Sequence, residues 1–165
     1  MEIRAERPED VCAIRDLTTA AFSGAEHSSG TEAAIVEALR AAGALTISLV
    51  ALERGRIVGH VAFSPVTAES GILGWYGLGP VSVRPDRQGS GIGKRLIETG
   101  LTQLRDRGAC GCVVLGDFRY YAHFGFVSDP ALRYGDAPAE YFHRIVFKGP
   151  PATGVVAYHP GFEAT

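Results

Sequence analysis

The sequence predicts a single α/β domain that contains both strands and amphipathic helices. Its 165 residues suit one domain, and 46% hydrophobic residues suffice for a sizeable core. The clearest evidence is the stretch from Gly77 to Leu101, which joins a strand pattern to a helix pattern through a glycine-rich turn. No repeat, low-complexity tract or linker interrupts the sequence. We therefore expect one domain over residues 1–165.

The first part of the chain predicts a short strand and two helices. Residues 2–6 have a strand pattern, and Pro8 then begins a helix that runs to about Phe22. After a polar loop, Ser29 opens a capping box and starts a second amphipathic helix that ends before Gly43. Each helix has one apolar side, which we expect to be buried.

A β-hairpin is predicted next. Residues 46–53 and 56–66 are rich in β-branched and apolar residues, and Arg54-Gly55 between them is typical of a tight turn. The two strands should therefore be antiparallel. His60 lies in the second strand, where we interpret it as a hydrogen-bonded structural residue.

The central strand and helix surround the glycine-rich turn. Residues 74–83 predict a strand, but Gly77, Gly79 and Pro80 favour a bulge and separation from a neighbouring strand. A helix begins near Gly91, and its apolar residues recur on one side: Ile92, Leu96, Ile97, Leu101 and Leu104. We expect this side to pack on the sheet.

The last part of the chain predicts three strands and a short helix. Residues 112–115 form an apolar run typical of a buried strand, and residues 119–124 form a brief helical turn. Residues 140–148 and 154–158 are two further strand candidates. We expect this last pair to close one edge of the sheet.

The turn from Gln88 to Gly93 is a candidate anion-binding site. Its glycines let a ligand approach the backbone, and the first N–H groups of the following helix have no intrahelical acceptor. The positive end of the helix macrodipole adds to this attraction. Cationic side chains flank the turn: Arg84, Arg87, Lys94 and Arg95. Phosphate is the anion that we expect.

Two common nucleotide motifs do not fit this turn. A dinucleotide-binding GxGxxG from Gly89 would need glycine where Lys94 stands, which makes a dinucleotide oxidoreductase a weak alternative. A P-loop ending at Gly93-Lys94 would need glycine in place of Gln88 and Ser or Thr in place of Arg95. The turn therefore belongs to a different kind of phosphate site.

Net charge, cysteine spacing and hydrophobicity indicate which partners and which cell compartment to expect. A net charge of −2 gives no basic field for nucleic acid. The three cysteines lack the spacing of a zinc site, so we expect free thiols and no metal. No signal peptide or membrane-spanning run is apparent, which leads us to expect a cytoplasmic protein without a membrane partner.

The pattern Gln88-x-x-Gly91-x-Gly93 after a strand resembles the pyrophosphate signature of the GCN5-related N-acetyltransferase (GNAT) superfamily. Within it, LGDFRYYAHFGF at 115–126 and YHPGF at 158–162 are similar to a bacterial subgroup of largely unassigned acetyltransferases. The resemblance implies a mixed, mostly antiparallel sheet of about seven strands, splayed at strands 4 and 5, with about four helices. Phe118 and His123 depart from the subgroup, which commonly has proline and arginine there.

The resemblance also implies a cosubstrate, acetyl-CoA. In similar families the bulged strand hydrogen-bonds the pantetheine arm and the turn holds the pyrophosphate, with no metal. The residues that this implies are Val81, Ser82, Val83, Gln88, Gly89, Ser90, Gly91, Ile92, Gly93, Lys94 and Tyr120.

Acetyl transfer to an amine needs an acid for the leaving thiolate and a base for the ammonium proton. Tyr121 stands four residues before a Gly-Phe pair, where the superfamily often has its acid. The strand at 74–83 lacks an acidic residue, so Glu26 or His27 is our candidate base, with Phe22, Trp75 and Tyr76 as candidate walls of the acceptor site.

We expect direct transfer in a ternary complex rather than an acetyl-cysteine intermediate, since no histidine is adjacent to Cys110 or Cys112. The main alternative is a domain that binds acetyl-CoA as a sensor without turnover. The acceptor amine, whether a small molecule or a peptide, is not identified by the sequence. The oligomeric state is also open, with a homodimer as one candidate.

Overall fold

A computed structural model describes residues 1–24 and 30–165, which form a mixed α/β fold. The strands are β1 Glu2–Ala5, β2 Ile47–Glu53, β3 Arg56–Ala68, β4 Trp75–Val83, β5 Gly111–Leu115, β6 Leu132–Arg133, β7 Phe142–Val146 and β8 Gly154–Tyr158. The α-helices are α1 Val11–Phe22, α2 Glu32–Ala41, α3 Ile92–Asp106 and α4 Phe118–Tyr121. No helix in these described ranges has the length and apolar character needed to cross a membrane.

The eight strands form one sheet whose main order is β1-β2-β3-β4-β5-β7. Strand pairing is antiparallel except between β4 and β5 and between β6 and β8. The expected hairpin is confirmed, because β2 and β3 pair across a turn in which Arg54 and Gly55 both have positive φ. The sheet is therefore mixed and mostly antiparallel, as the family resemblance implies, with eight strands rather than about seven.

Helix α3 covers one face of the sheet. Its five predicted apolar residues are all buried in the largest core cluster, together with Phe63 and Leu78 of the sheet. Gly59 of β3 lies directly beneath the start of α3, where a Cβ would be 2.7 Å from Ile92. The helix start is thus held close to the sheet, beside the end of β4.

The opposite face carries α1 and α2 near β2 and a second apolar cluster near β8. Ile14 of α1 and Val36 of α2 pack on Val50 of β2. The second cluster contains Trp75, which is 2% exposed, and Phe142. The two helices and this second cluster, which includes Val156 of β8, thus lie on the face opposite α3.

Strand β4 separates from β5, as predicted. The two strands pair over Trp75–Gly77 and Gly111–Val113, and β4 then continues to Val83 without β5. Opposite Ala62 of β3, β4 has two residues, Gly79 and Pro80, which form the expected bulge. The result is an opening between two parallel strands.

Two details of the fold differ from the sequence prediction. Strand β8 pairs with β3 and with the two-residue strand β6, not with β7, so the two tail strands do not close one edge together. Helix α2 begins at Glu32 with Thr31 as its N-cap, later than predicted. The predicted cap, Ser29, lies outside the described residues.

Candidate active site

The turn before α3 presents backbone N–H groups toward solvent. Gly89 and Gly91 have φ of 78° and 88°, a conformation that glycine adopts without steric cost. The first backbone bond of the helix is donated by Arg95 N–H to Gly91 O. Within the described residues, no backbone acceptor is found for the amides of residues 89–94. These amides and the helix dipole suit an anion.

The cationic residues around the turn are partly engaged with carboxylates. Arg87 makes a two-pronged ion pair with Glu53, at 2.7 Å for each bond, and Arg84 binds Asp86 at 2.9 and 3.1 Å. Arg87 and Glu53 tie the turn to the end of β2. The predicted anion site therefore relies more on backbone amides than the sequence suggests.

The end of β4 offers free backbone groups to the opening. Arg84 N–H donates to Val58 O of β3, so alternation along the strand directs the backbone groups of Val81 and Val83 away from β3. Consistent with this direction, Val83 O accepts a bond of 3.1 Å from the Gln88 side chain. Val81 and Val83 thus have the orientation expected for residues that hold an extended ligand.

Ser82, a predicted cofactor-binding residue, faces the opposite side of the sheet. Its hydroxyl is buried and lies 3.3 Å from Thr18 Oγ1 of α1. The side chains of its neighbours, Val81 and Val83, instead lie near Gly93 of α3. The period of two along a strand explains this difference.

Tyr120 lies beside the start of α3. Its hydroxyl is 3.4 Å from the position that a Cβ on Gly93 would occupy. The missing side chain of Gly93 leaves space between Tyr120 and the two valines of β4. Tyr120 is therefore near the anion-binding turn, where it was predicted to bind cofactor.

A cavity of about 350 Å³ lies where β4 separates from β5. Five aromatic residues of the described chain line it, contributed by α1, α4, the loop after β6, β8 and the 3-10 helix Pro160–Glu163: Phe22, Tyr121, Tyr134, Tyr158 and Phe162. The rings of Tyr134, Tyr158 and Phe162 form a continuous row, with centroids 4.9 and 4.8 Å apart. The cavity therefore has one wall of aromatic rings.

The remaining lining comes from β4, β5 and α2. Apolar residues and the bulge supply most of it: Ile35, Leu78, Gly79, Pro80, Val81 and Leu115. Glu32 is the one charged residue among the described residues that line the cavity. Sequence reasoning placed Glu32 in the capping box that Ser29 opens and assigned no role to Tyr134, Tyr158 or Phe162, although the YHPGF motif contains Tyr158 and Phe162.

Tyr121 links the cavity to α4. Its ring contacts Tyr120, Phe124 and Phe126. Burial raises the pKa of Tyr121 well above its usual value, and Tyr120 and Cys112 act in the same direction. At neutral pH the hydroxyl is therefore protonated and can donate a hydrogen bond or a proton.

The candidate acceptor residues have different positions. Phe22 lines the cavity, whereas the described lining does not include Trp75 or Tyr76. Trp75 is buried in the second core cluster, and Tyr76 packs on the α3 side. The structure thus gives these two residues a packing role. The candidate bases, Glu26 and His27, lie outside the described residues.

The cysteines are free thiols with different exposure. Cys12 is exposed, Cys110 is partly buried and Cys112 is buried in β5. Burial raises the pKa of the Cys112 thiol well above its ordinary range. Because a thiolate is the reactive form, Cys112 is poorly suited to covalent catalysis.

A sheet that opens between parallel strands, beside a helix start with unpaired amides, is the arrangement that the resemblance to acyl-CoA-dependent transferases implies. Residues 11–126 match the model of the Acetyltransferase (GNAT) family. The chain belongs to this family of N-acetyltransferases, as the resemblance of its motifs suggested.

Similarity to known proteins extends over nearly the whole chain. The curated protein "Uncharacterized N-acetyltransferase YhbS" of Escherichia coli K12 is 36% identical, with 99% of each chain covered. A crystal structure of a GNAT family acetyltransferase from Brucella melitensis in complex with acetyl-CoA has 52% identity and a TM-score of 0.87, covering 98% of this chain and 97% of that one. The structure of E. coli YhbS in complex with CoA has 34% identity and a TM-score of 0.89, covering 98% and 91%.

Proposed function

We propose that the protein transfers the acetyl group of acetyl-CoA directly to a primary amine of a small molecule or peptide in a ternary complex. The observation that carries this proposal is the continuity of the anion-binding turn, the free edge of β4 and the aromatic cavity. Solved relatives with 52% and 34% identity hold acetyl-CoA and CoA respectively, which supports the same ligand here.

We assign each part of acetyl-CoA to one of these three features, the turn, the edge of β4 or the cavity. The pyrophosphate accepts hydrogen bonds from the amides of residues 88–93, at the helix start and its glycines. The pantetheine arm lies along β4 and bonds the backbone of Val81 and Val83 as an added strand would. Its thioester then reaches the cavity beside the bulge.

The chemistry is direct attack of the neutral amine on the thioester carbonyl. A carbon–nitrogen bond forms, the carbon–sulfur bond breaks, and Tyr121 donates a proton to the leaving thiolate. The ammonium proton is lost to a base, for which Glu26 and His27 remain the candidates. Burial of Cys112 supports this route over an acetyl-cysteine intermediate.

A thiol-release assay with acetyl-CoA and a panel of amines tests the proposal. We expect free CoA and an acetylated amine of equal amount, detected by mass spectrometry. Tight acetyl-CoA binding without turnover of any amine would instead support a sensor.

A further inference from the structure

The composition of the cavity points to the class of acceptor. Candidate acceptors are cationic amines, which differ in the number of positive charges they carry and in whether the rest of the molecule is polar or apolar. A polyamine or an aminoglycoside carries several positive charges and presents no flat apolar group. An arylalkylamine carries one positive charge and a flat apolar body. The residues that line the cavity indicate which of these classes it accommodates.

The aromatic wall is fixed by the fold. Tyr158 lies over Gly77, where a Cβ would be 3.1 Å from the Tyr158 ring, so the missing side chain creates the space for it. Phe162 follows in the short turn Pro160–Glu163 and packs on Ile35 and Leu39 of α2. Their edge-to-face contact at 4.8 Å holds both rings. These rings form a surface for a flat apolar group.

Among the described residues, α2 contributes a charged side chain to the cavity. Glu32 is the first residue of α2, and Ile35 lies one turn further on the same side of the helix. Both line the cavity, so the Glu32 carboxylate and the aromatic wall share one space. A carboxylate has about four lone-pair positions, so it can accept from a ligand in addition to a partner within the protein.

We propose that the acceptor is a monocationic arylalkylamine, whose ring packs on Tyr158 and Phe162 and whose ammonium group is attracted by Glu32. This inference rests on the proposed acetyltransferase function. The aromatic rings stabilise the cation further through their π faces. Glu32 is a substrate-binding residue here, and the base that removes the proton is a separate group.

An amine panel and two variants test this inference. With purified protein and acetyl-CoA, we expect 2-phenylethylamine and tryptamine to give kcat/KM values at least about tenfold above those of spermidine and kanamycin. Glu32→Gln should raise the KM for 2-phenylethylamine by about tenfold to a hundredfold, as expected for a hydrogen bond to a charged group. The KM for acetyl-CoA and the pH profile of kcat should not change.

Glu37→Gln is the matched control, because Glu37 lies on an exposed part of the same helix and does not line the cavity. This substitution should leave kcat and the KM values for 2-phenylethylamine and acetyl-CoA unchanged. Faster acetylation of spermidine or kanamycin, or an unchanged KM in Glu32→Gln, overturns the inference while the acetyltransferase function stands. Absence of turnover with every amine overturns the proposed function itself.

Discussion

The rings of Tyr120 and Tyr121 are nearly perpendicular, with centroids 5.0 Å apart, and they reach different parts of the site. The Tyr120 hydroxyl lies beside Gly93 at the anion-binding turn, whereas Tyr121 lines the cavity. Two adjacent phenols can thus serve opposite ends of the same cosubstrate. Substitution of each by phenylalanine should separate the two roles.

Tyr121→Phe should lower kcat with little change in the KM for acetyl-CoA. The substitution keeps the ring and its contacts but removes the proton donor. General acid catalysis contributes about 10²- to 10⁴-fold, and we expect a loss in that range. Steady-state and burst-phase kinetics with the fastest acceptor measure the effect.

Tyr120→Phe is the matched control for Tyr121→Phe, because it removes the neighbouring hydroxyl. It should weaken CoA binding and leave kcat close to that of the unmodified protein. Full turnover in Tyr121→Phe, with chemistry shown to limit the rate, would mean that Tyr121 has a packing role.

Gly93→Asp should weaken CoA binding by at least about tenfold, or about 1.4 kcal/mol. The new carboxylate would lie at the start of α3, where a pyrophosphate would bind. An acidic residue in the first turn of a helix is otherwise stabilising, so the melting temperature should not fall. Isothermal titration calorimetry with CoA gives the affinity.

Thr102→Asp provides the comparison for Gly93→Asp, since it adds the same charge at an exposed position further along α3. It should bind CoA with unchanged affinity. Equal affinities in both variants would show that the pyrophosphate does not bind at this turn.

Local sequence patterns predicted α3, the turn and the bulge because each depends on residues close together in the chain. The spacing of Ile92, Leu96 and Leu104 defines a buried side, and Gly79-Pro80 interrupts a strand. These features follow from helix periodicity and backbone freedom alone. Local patterns of this kind can be recognised in the sequence without knowledge of tertiary contacts.

The acceptor side could not be predicted in the same way, because distant segments assemble it. Phe22, Glu32 and Phe162 come from α1, α2 and the end of the chain, and β8 must first pair with β3. Trp75 was a reasonable candidate from its position, yet side chains from β7 and β8, Phe142 and Val156, pack in the same cluster and bury it. Burial of this kind depends on tertiary packing.

Gly100→Ala should destabilise the fold, although alanine is the better helix former. A Cβ on Gly100 would lie 2.1 Å from Cε1 of Phe63, which is fully buried. The helix gains about 1 kcal/mol from the substitution, but overpacking costs about 1–3 kcal/mol. We expect a net loss, which urea unfolding measures, and weaker CoA binding because α3 must move.

Phe63→Leu in the Gly100→Ala background should recover part of the stability by making room for the methyl group. This double-mutant cycle isolates the contact between the two residues. If Gly100→Ala alone were as stable as the unmodified protein, α3 would not pack as closely on β3 as described.

A partly buried polar network lies on the other face of the sheet. His60 is buried and its Nε2 is 2.8 Å from Ser48 Oγ. Ser48 donates to Glu6, which also accepts bonds of 2.8 and 3.1 Å from Arg40. Because the Ser48 proton is directed to Glu6, His60 must donate through Nε2, and its Nδ1 has no partner within the described residues. The structural role expected for His60 agrees with these contacts.

The stability of the protein should fall as the pH drops from about 6.5 toward 4, because His60 is held neutral. Burial lowers its pKa from 6.5 to about 4; Arg40 adds to this lowering, while Glu6 opposes it. Between these values the unfolded chain binds the extra proton, so the free energy of unfolding decreases with falling pH. At about 1.4 kcal/mol per pH unit, the loss reaches roughly 3 kcal/mol near pH 4.

Denaturant unfolding should show a shallower slope of the free energy of unfolding against pH for His60→Gln than for His123→Gln, an exposed control. Equal slopes, or a His60 ring signal that titrates near pH 6.5 in NMR, would contradict the neutral assignment.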